Sequence, residues 1–199
     1  MQSKAKIEHV RRVNMGILRK ILPLIASIIS IIMIFVTEND SSLDYPQEFK
    51  SVYFTLILFS LFYLYIQMKK VRFPPENWKY KLIASLCSFW LFVNQFYIWL
   101  CTNIWSVEYN VYSVYLIATF AVFVLAYFQY VYFEKMNYTF QKIIGIMASI
   151  LLIAGGIWSF VWNYYDQAVI CVCTLLLNLT DLISVNSDRI TVENGVNKE

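Results

Sequence analysis

The chain has 199 residues, of which 59% are hydrophobic and only 15% charged, with a mean hydropathy of +0.56. A water-soluble domain of this size has too little interior to hide that much apolar side chain, so the main solvent of the chain is lipid. The net charge of +3 is small; it reports sidedness across a membrane, and it excludes a nucleic-acid partner.

A helix rises about 1.5 Å per residue, so crossing a hydrocarbon core of about 30 Å takes about 20 mostly apolar residues. The chain opens on a basic tail, 1–16, and then runs apolar from Ile17 to Val36. Lys4, Lys6, Arg11, Arg12, Arg19 and Lys20 resemble the leader of a signal peptide. The apolar run exceeds the roughly 7 to 15 residues of a cleavable segment, however, and no small-x-small site follows it, so it is expected to be a retained span. Pro23 is placed near the start of that span, where early amides lack intrahelical acceptors and proline is tolerated.

After an acidic loop comes the shortest span, 52–68, then a basic loop carrying Phe73, Pro74, Pro75 and Glu76. Further spans follow at 82–100, 111–133, 143–162 and 168–185, and the chain closes with a tail at 186–199. All six runs are continuous and not alternating, which specifies helices and not barrel strands. The expected fold is therefore all-α: a polytopic six-transmembrane-helix bundle over 17–185.

Charge provides an independent check. Fifteen of the sixteen Lys and Arg residues lie on alternate connections: the N-terminal region to Lys20, the 69–81 loop, the 134–142 loop and the C-terminal tail. Lys50 is the one exception, and the opposite connections carry Glu38, Asp40, Asp44, Glu48, Glu108 and Asp166. This is the positive-inside bias, and it puts the N-terminus and the C-terminus on the cytoplasmic side of a cell membrane. Trp99, Trp105, Tyr109, Tyr112, Trp162, Tyr164 and Tyr165 gather at the expected outer boundary, as amphipathic rings do.

Small residues mark close helix contacts. Gly145, Ser149, Gly155, Gly156 and Ser159 on the fifth span, and Ala26 and Ser30 on the first, recur at about one turn and let backbones approach. Cys87, Cys101, Cys171 and Cys173 fall within or beside apolar runs, so they read as packing residues and not as a disulfide framework.

Polar groups in lipid are costly, and their positions are the functional pointers of the chain. On the sixth span, Gln167, Cys171, Thr174, Asn178 and Asp181 are spaced four, three, four and three apart, which stacks them on one helix face. Asp181 is the only acid within an apolar run. It either binds a cation or polar group inside the bundle or reaches back to a lysine at the interface. Ser88, Asn94 and Gln95 on the third span are the facing polar residues; adjacent amides diverge by about 100°, so Asn94 and Gln95 face different neighbours. The candidate substrate-binding set is Asn94, Gln95, Thr174, Asn178 and Asp181.

With one histidine, His9, in the basic tail, no histidine metal site can be assembled. No phosphate-cradling loop, zinc-protease helix or nucleophile elbow occurs, no cofactor is implied, and a catalytic role has no residues behind it. The expected function is transport: a small membrane component that binds a small polar or aromatic solute among its helices. The alternative is a non-enzymatic interaction protein, an immunity, defence or regulatory partner that uses the basic inner surface and contacts another membrane protein or a second copy. A lipid-modifying enzyme is a third reading with no supporting constellation. A polar pocket between the third and sixth helices separates transport from interaction, for which a dry core suffices.

Overall fold

The computed structural model describes residues 2–39, 46–68, 78–102, 105, 107–131 and 138–196. Among them lie six α-helices: α1 (Gln2–Asn39), α2 (Pro46–Met68), α3 (Trp78–Cys101), α4 (Val107–Val131), α5 (Tyr138–Val161) and α6 (Tyr165–Val196). Each overlaps one of the apolar runs read from the sequence.

Local chemistry explains several of the ends. Pro46 opens α2 at a position where its missing amide proton costs nothing. Between α5 and α6 the chain reverses in three residues. Asn163 takes a left-handed φ of 63°, its amide donates to the Phe160 carbonyl, and the Tyr164 amide donates to the Ser159 carbonyl. That pair of bonds is the Schellman closure of a helix, with asparagine in the place usually held by glycine. Asp166 then sits in the first turn of α6, where a negative charge suits the helix dipole.

The helices close into a ring. Each packs on its neighbour in the chain and α6 returns to α1, while α6 also reaches α2 and α4 across the middle. The α2–α3 seam is the thinnest of the ring. Within its apolar stretch α6 is 56% buried, against 28% for α1 and 33% for α5, so α6 is the central helix. The core around it is built from Tyr53, Leu56, Leu91, Ile98, Tyr115, Leu152 and Ile170, all nearly inaccessible.

The outside is as apolar as the inside. Ile32, Phe35, Leu86, Ile150, Ile157, Phe160 and Val161 are all more than half exposed. A coat of this kind is stable against lipid tails and not against water. Among the described residues, three helices are long and apolar enough to cross a membrane, over Ile17–Thr37, Lys142–Val161 and Tyr165–Ile183. The other three carry shorter apolar segments, Phe49–Tyr65, Ser85–Cys101 and Tyr112–Val124.

The small residues of α5 allow the close approach expected of them. A side-chain carbon added at Gly145 would collide with Leu182 of α6, and one at Gly155 would lie 3.3 Å from Val114 of α4. Ala26 and Ser30 of α1 are both fully buried, and the Cys173 thiol of α6 reaches the Ala26 carbonyl at 3.9 Å.

Residues 2–16 and 186–196, read as tails, continue α1 and α6 as helix. Two expectations need revision. At 38 residues, α1 is about 57 Å long, nearly twice a hydrocarbon core. Pro23 consequently lies deep inside α1 and not in its first turn. Its ring has no amide proton to continue the helical ladder. Tyr112 is 5% exposed and belongs to the core, because its position on α4 turns it inward, toward the face that also carries Tyr115.

Candidate functional site

Most buried hydroxyls of the bundle satisfy themselves. Thr55, Ser60, Thr102 and Ser159 each donate to the carbonyl four residues back on their own helix, at 2.7–2.8 Å. Such back-bonding is a local solution to burial and leaves no hydroxyl proton for a ligand.

The polar stripe of α6 behaves differently. Gln167, Cys171, Thr174, Asn178 and Asp181 are all less than 9% exposed; Thr174, Asn178 and Asp181 bond to other helices, and both amide atoms of Gln167 are buried without a hydrogen-bond partner. The Tyr53 hydroxyl of α2 donates to the Asp166 carbonyl at 3.1 Å and lies 3.3 Å from its carboxylate. The Tyr115 hydroxyl of α4 shares a 3.0 Å bond with Thr174 Oγ1. Tyr63 of α2 donates to Asp181 Oδ1 at 3.2 Å. Three tyrosines from two helices thus meet α6 at three levels. A tyrosine within an apolar span needs a partner for its hydroxyl, and α6 provides it, from the stripe for Tyr63 and Tyr115 and from Asp166 for Tyr53.

Asn178 is held from the other side. Its Nδ2 donates to the Gly145 carbonyl and to Ser149 Oγ of α5, both at 2.8 Å. A carbonyl can only accept, so these bonds settle which end of the amide is nitrogen. The other end, Oδ1, is buried and has no hydrogen-bond partner.

Between α2, α3, α4 and α6 lies a small cavity. Its polar lining is Tyr63, Ser88, Thr174, Asn178 and Asp181, and its apolar lining is Phe59, Val122, Ala126 and Leu177. Its volume is about 20 Å³, room for one water molecule. The cavity lies toward the end of the bundle where α1 begins and α6 ends. Ser88 and the α6 residues face each other across it, because α3 and α6 are separated by their neighbours.

Of the sequence-derived candidates, Thr174, Asn178 and Asp181 are brought together in this lining, and Asn94 and Gln95 are not. Asn94 is half-buried and spends its amide on the Trp90 carbonyl of its own helix at 2.8 Å. Gln95 is fully buried, on the same face of α3 as Ser88 and Leu91, and both its amide atoms lack hydrogen-bond partners. The divergence of the two amides follows from helical rotation. Gln95 lies two turns from Ser88, about 10 Å along the axis, outside the cavity.

The sequence reading missed Tyr53, Tyr63 and Tyr115. The available signal was their phase: Tyr53, Leu56, Phe59 and Tyr63 recur every three or four residues on α2, and all except the half-buried Tyr63 are buried. Comparison with protein-family models, with curated proteins and with solved structures finds no match to this chain.

Proposed function

We propose that the chain is a six-span integral protein of the cell membrane, with both termini cytoplasmic, and that it serves as a small transport component binding a small polar solute inside its helix bundle. The alternation of basic and acidic connections supports the topology, and the apolar exterior supports the membrane setting. The single observation that carries the transport reading is the polar cavity bounded by α3 and α6, with the carboxylate of Asp181 in its wall. A protein that only assembles with others has no need of one.

At about 20 Å³ the cavity suits a small polar group. A solute would enter between two helices. The thin α2–α3 seam is the place for it, since Tyr63 and Ser88 stand on either side of that seam and both line the cavity. The test is a ligand screen by thermal shift on the purified protein in detergent, followed by flux measurements in proteoliposomes. The expected result is a solute class that raises the melting temperature and crosses the membrane, with both effects reduced in Ser88→Ala. A complete lack of response among small polar solutes, with no flux, overturns the reading.

The interaction reading is favoured by a different feature. α1, α5 and α6 frame an apolar groove of about 560 Å³ around Ile29, Gly156, Ile157 and Val172. A partner helix seated there would make the chain a regulatory, immunity or defence protein. Co-purification of a membrane partner that is lost on Gly156→Phe and indifferent to Ser88→Ala would establish that role in place of transport.

A further inference from the structure

We infer that the groove framed by α1, α5 and α6 seats one phospholipid with an ammonium-bearing headgroup, its acyl chain lying along α6 and its headgroup at the α5–α6 turn. The inference is independent of the solute cavity, and it competes with the partner helix that the interaction reading places in the same groove.

α6 packs on both α5 and α1, but among the described residues those two do not pack on each other. A strip of α6 is therefore left uncovered between them. Ala168, Val169, Val172 and Leu175 form its floor, and Gly156 keeps the α5 side low. Every residue framing the groove is apolar except Tyr165, whose hydroxyl is spent as a donor to Asn163 Oδ1 at 2.8 Å. Such a wall offers an occupant no hydrogen bond and rewards the burial of hydrocarbon.

Length selects the kind of hydrocarbon. From Tyr165 to Leu175 the helix rises about 15 Å, half of a hydrocarbon core of about 30 Å. The groove thus starts where the apolar stretch of α6 starts, at Tyr165, and stops near the middle of the bilayer. That is the reach of an acyl chain within one leaflet, whereas a membrane-spanning helix needs a track through both.

The mouth selects the headgroup. Phe160 and Tyr165 both line the groove and are more than half exposed. Their ring centroids are 5.7 Å apart and their planes meet at 73°, a corner of two aromatic walls. The negative faces of such rings attract an ammonium group. Charge acts in the same direction. The connections at this end of the bundle carry Glu38, Asp40, Asp44, Glu48, Glu108 and Asp166 against Lys50, a field that repels an anionic headgroup and draws a cationic one.

The experiment uses the full chain in an uncharged detergent, washed free of lipid. Dioleoyl phosphatidylethanolamine, phosphatidylcholine or phosphatidylglycerol is added back, and binding is read by native mass spectrometry and thermal shift. The expected result for an ammonium lipid is one molecule retained per chain and a saturable rise in melting temperature. That rise is about 5 °C or more at a hundredfold excess over the dissociation constant, with phosphatidylglycerol at least about tenfold weaker. Val172→Trp, which fills the groove from a half-exposed position, should move the midpoint at least about tenfold upward, the loss of about two buried methylenes. Tyr165→Leu should bring the ammonium lipids to within about threefold of phosphatidylglycerol. Ile117→Trp on α4, exposed and outside the groove, should change nothing. If Val172→Trp does not fold, Ile157→Trp decides by the same criterion. Equal, unsaturable uptake of all three lipids overturns the inference, as does a wild-type midpoint in Val172→Trp. A partner protein held in stoichiometric amount by the wild type and lost in Val172→Trp overturns it as well. Ser88→Ala, the transport test, should leave lipid binding unchanged, so the two readings fail separately.

Discussion

Gly145→Ala tests the tightest helix contact of the bundle. The added carbon would overlap the end of the Leu182 side chain, and relieving that overlap by a rotamer change or helix separation costs about 1–3 kcal/mol. Against this, alanine is the better helix former by about 1 kcal/mol. The net expectation is a loss of about 1 kcal/mol, or about 2–4 °C in melting temperature for a chain of this length. Helix separation would also lengthen the 2.8 Å bond from Asn178 to the Gly145 carbonyl, which favours a rotamer change at Leu182. The decisive measurement is a double-mutant cycle with Leu182→Ala, read by thermal melting in detergent. Once Leu182 is shortened the overlap is gone and only the propensity gain remains, so Gly145→Ala should then stabilise by about 1 kcal/mol. If Gly145→Ala has the same sign in both backgrounds, the α5–α6 packing described above is wrong.

Three other outcomes are expected. Gln95→Leu removes a fully buried amide that lacks partners, and it should raise the melting temperature by about 2–8 °C, corresponding to about 1–2 kcal/mol recovered; a fall of that size would mean that the amide is engaged in the native protein. Tyr63→Phe deletes the 3.2 Å donor to Asp181 and should destabilise by about 1.5–3 kcal/mol, the range for hydrogen bonds to charged groups; an unchanged melting curve would show that this bond carries no weight. For topology, cysteines placed at Ser41 and Ser187 in a Cys101→Ser background should react with an impermeant maleimide from outside at Ser41, and at Ser187 only after permeabilisation. Labelling of both from one side of intact cells would refute the six-span arrangement.

Much of the architecture is visible along the chain because hydropathy is a local property. A continuous apolar run specifies a helix regardless of what it packs against, and the six runs correspond to α1–α6, three of which are, over their described residues, long and apolar enough to cross a membrane. The α6 stripe was legible for the same reason, since spacings of three and four place Thr174, Asn178 and Asp181 on one face. The limits of α1 and α6 were not, because hydropathy reports where lipid ends and not where the helix does. Pro23 was misjudged in consequence.

What the sequence determined by itself is a helical membrane chain with a polar stripe on its sixth helix, since both follow from residue order and helical period. Only the tertiary structure decided what the stripe meets. Tyr53, Tyr63 and Tyr115 arrive from α2 and α4, Asn178 is clasped by α5, and Asn94 turns aside while Gln95 is buried. Those facts depend on how each helix is rotated about its own axis against its neighbours. That rotation is set by side-chain packing among residues far apart in the chain, and no local pattern encodes it.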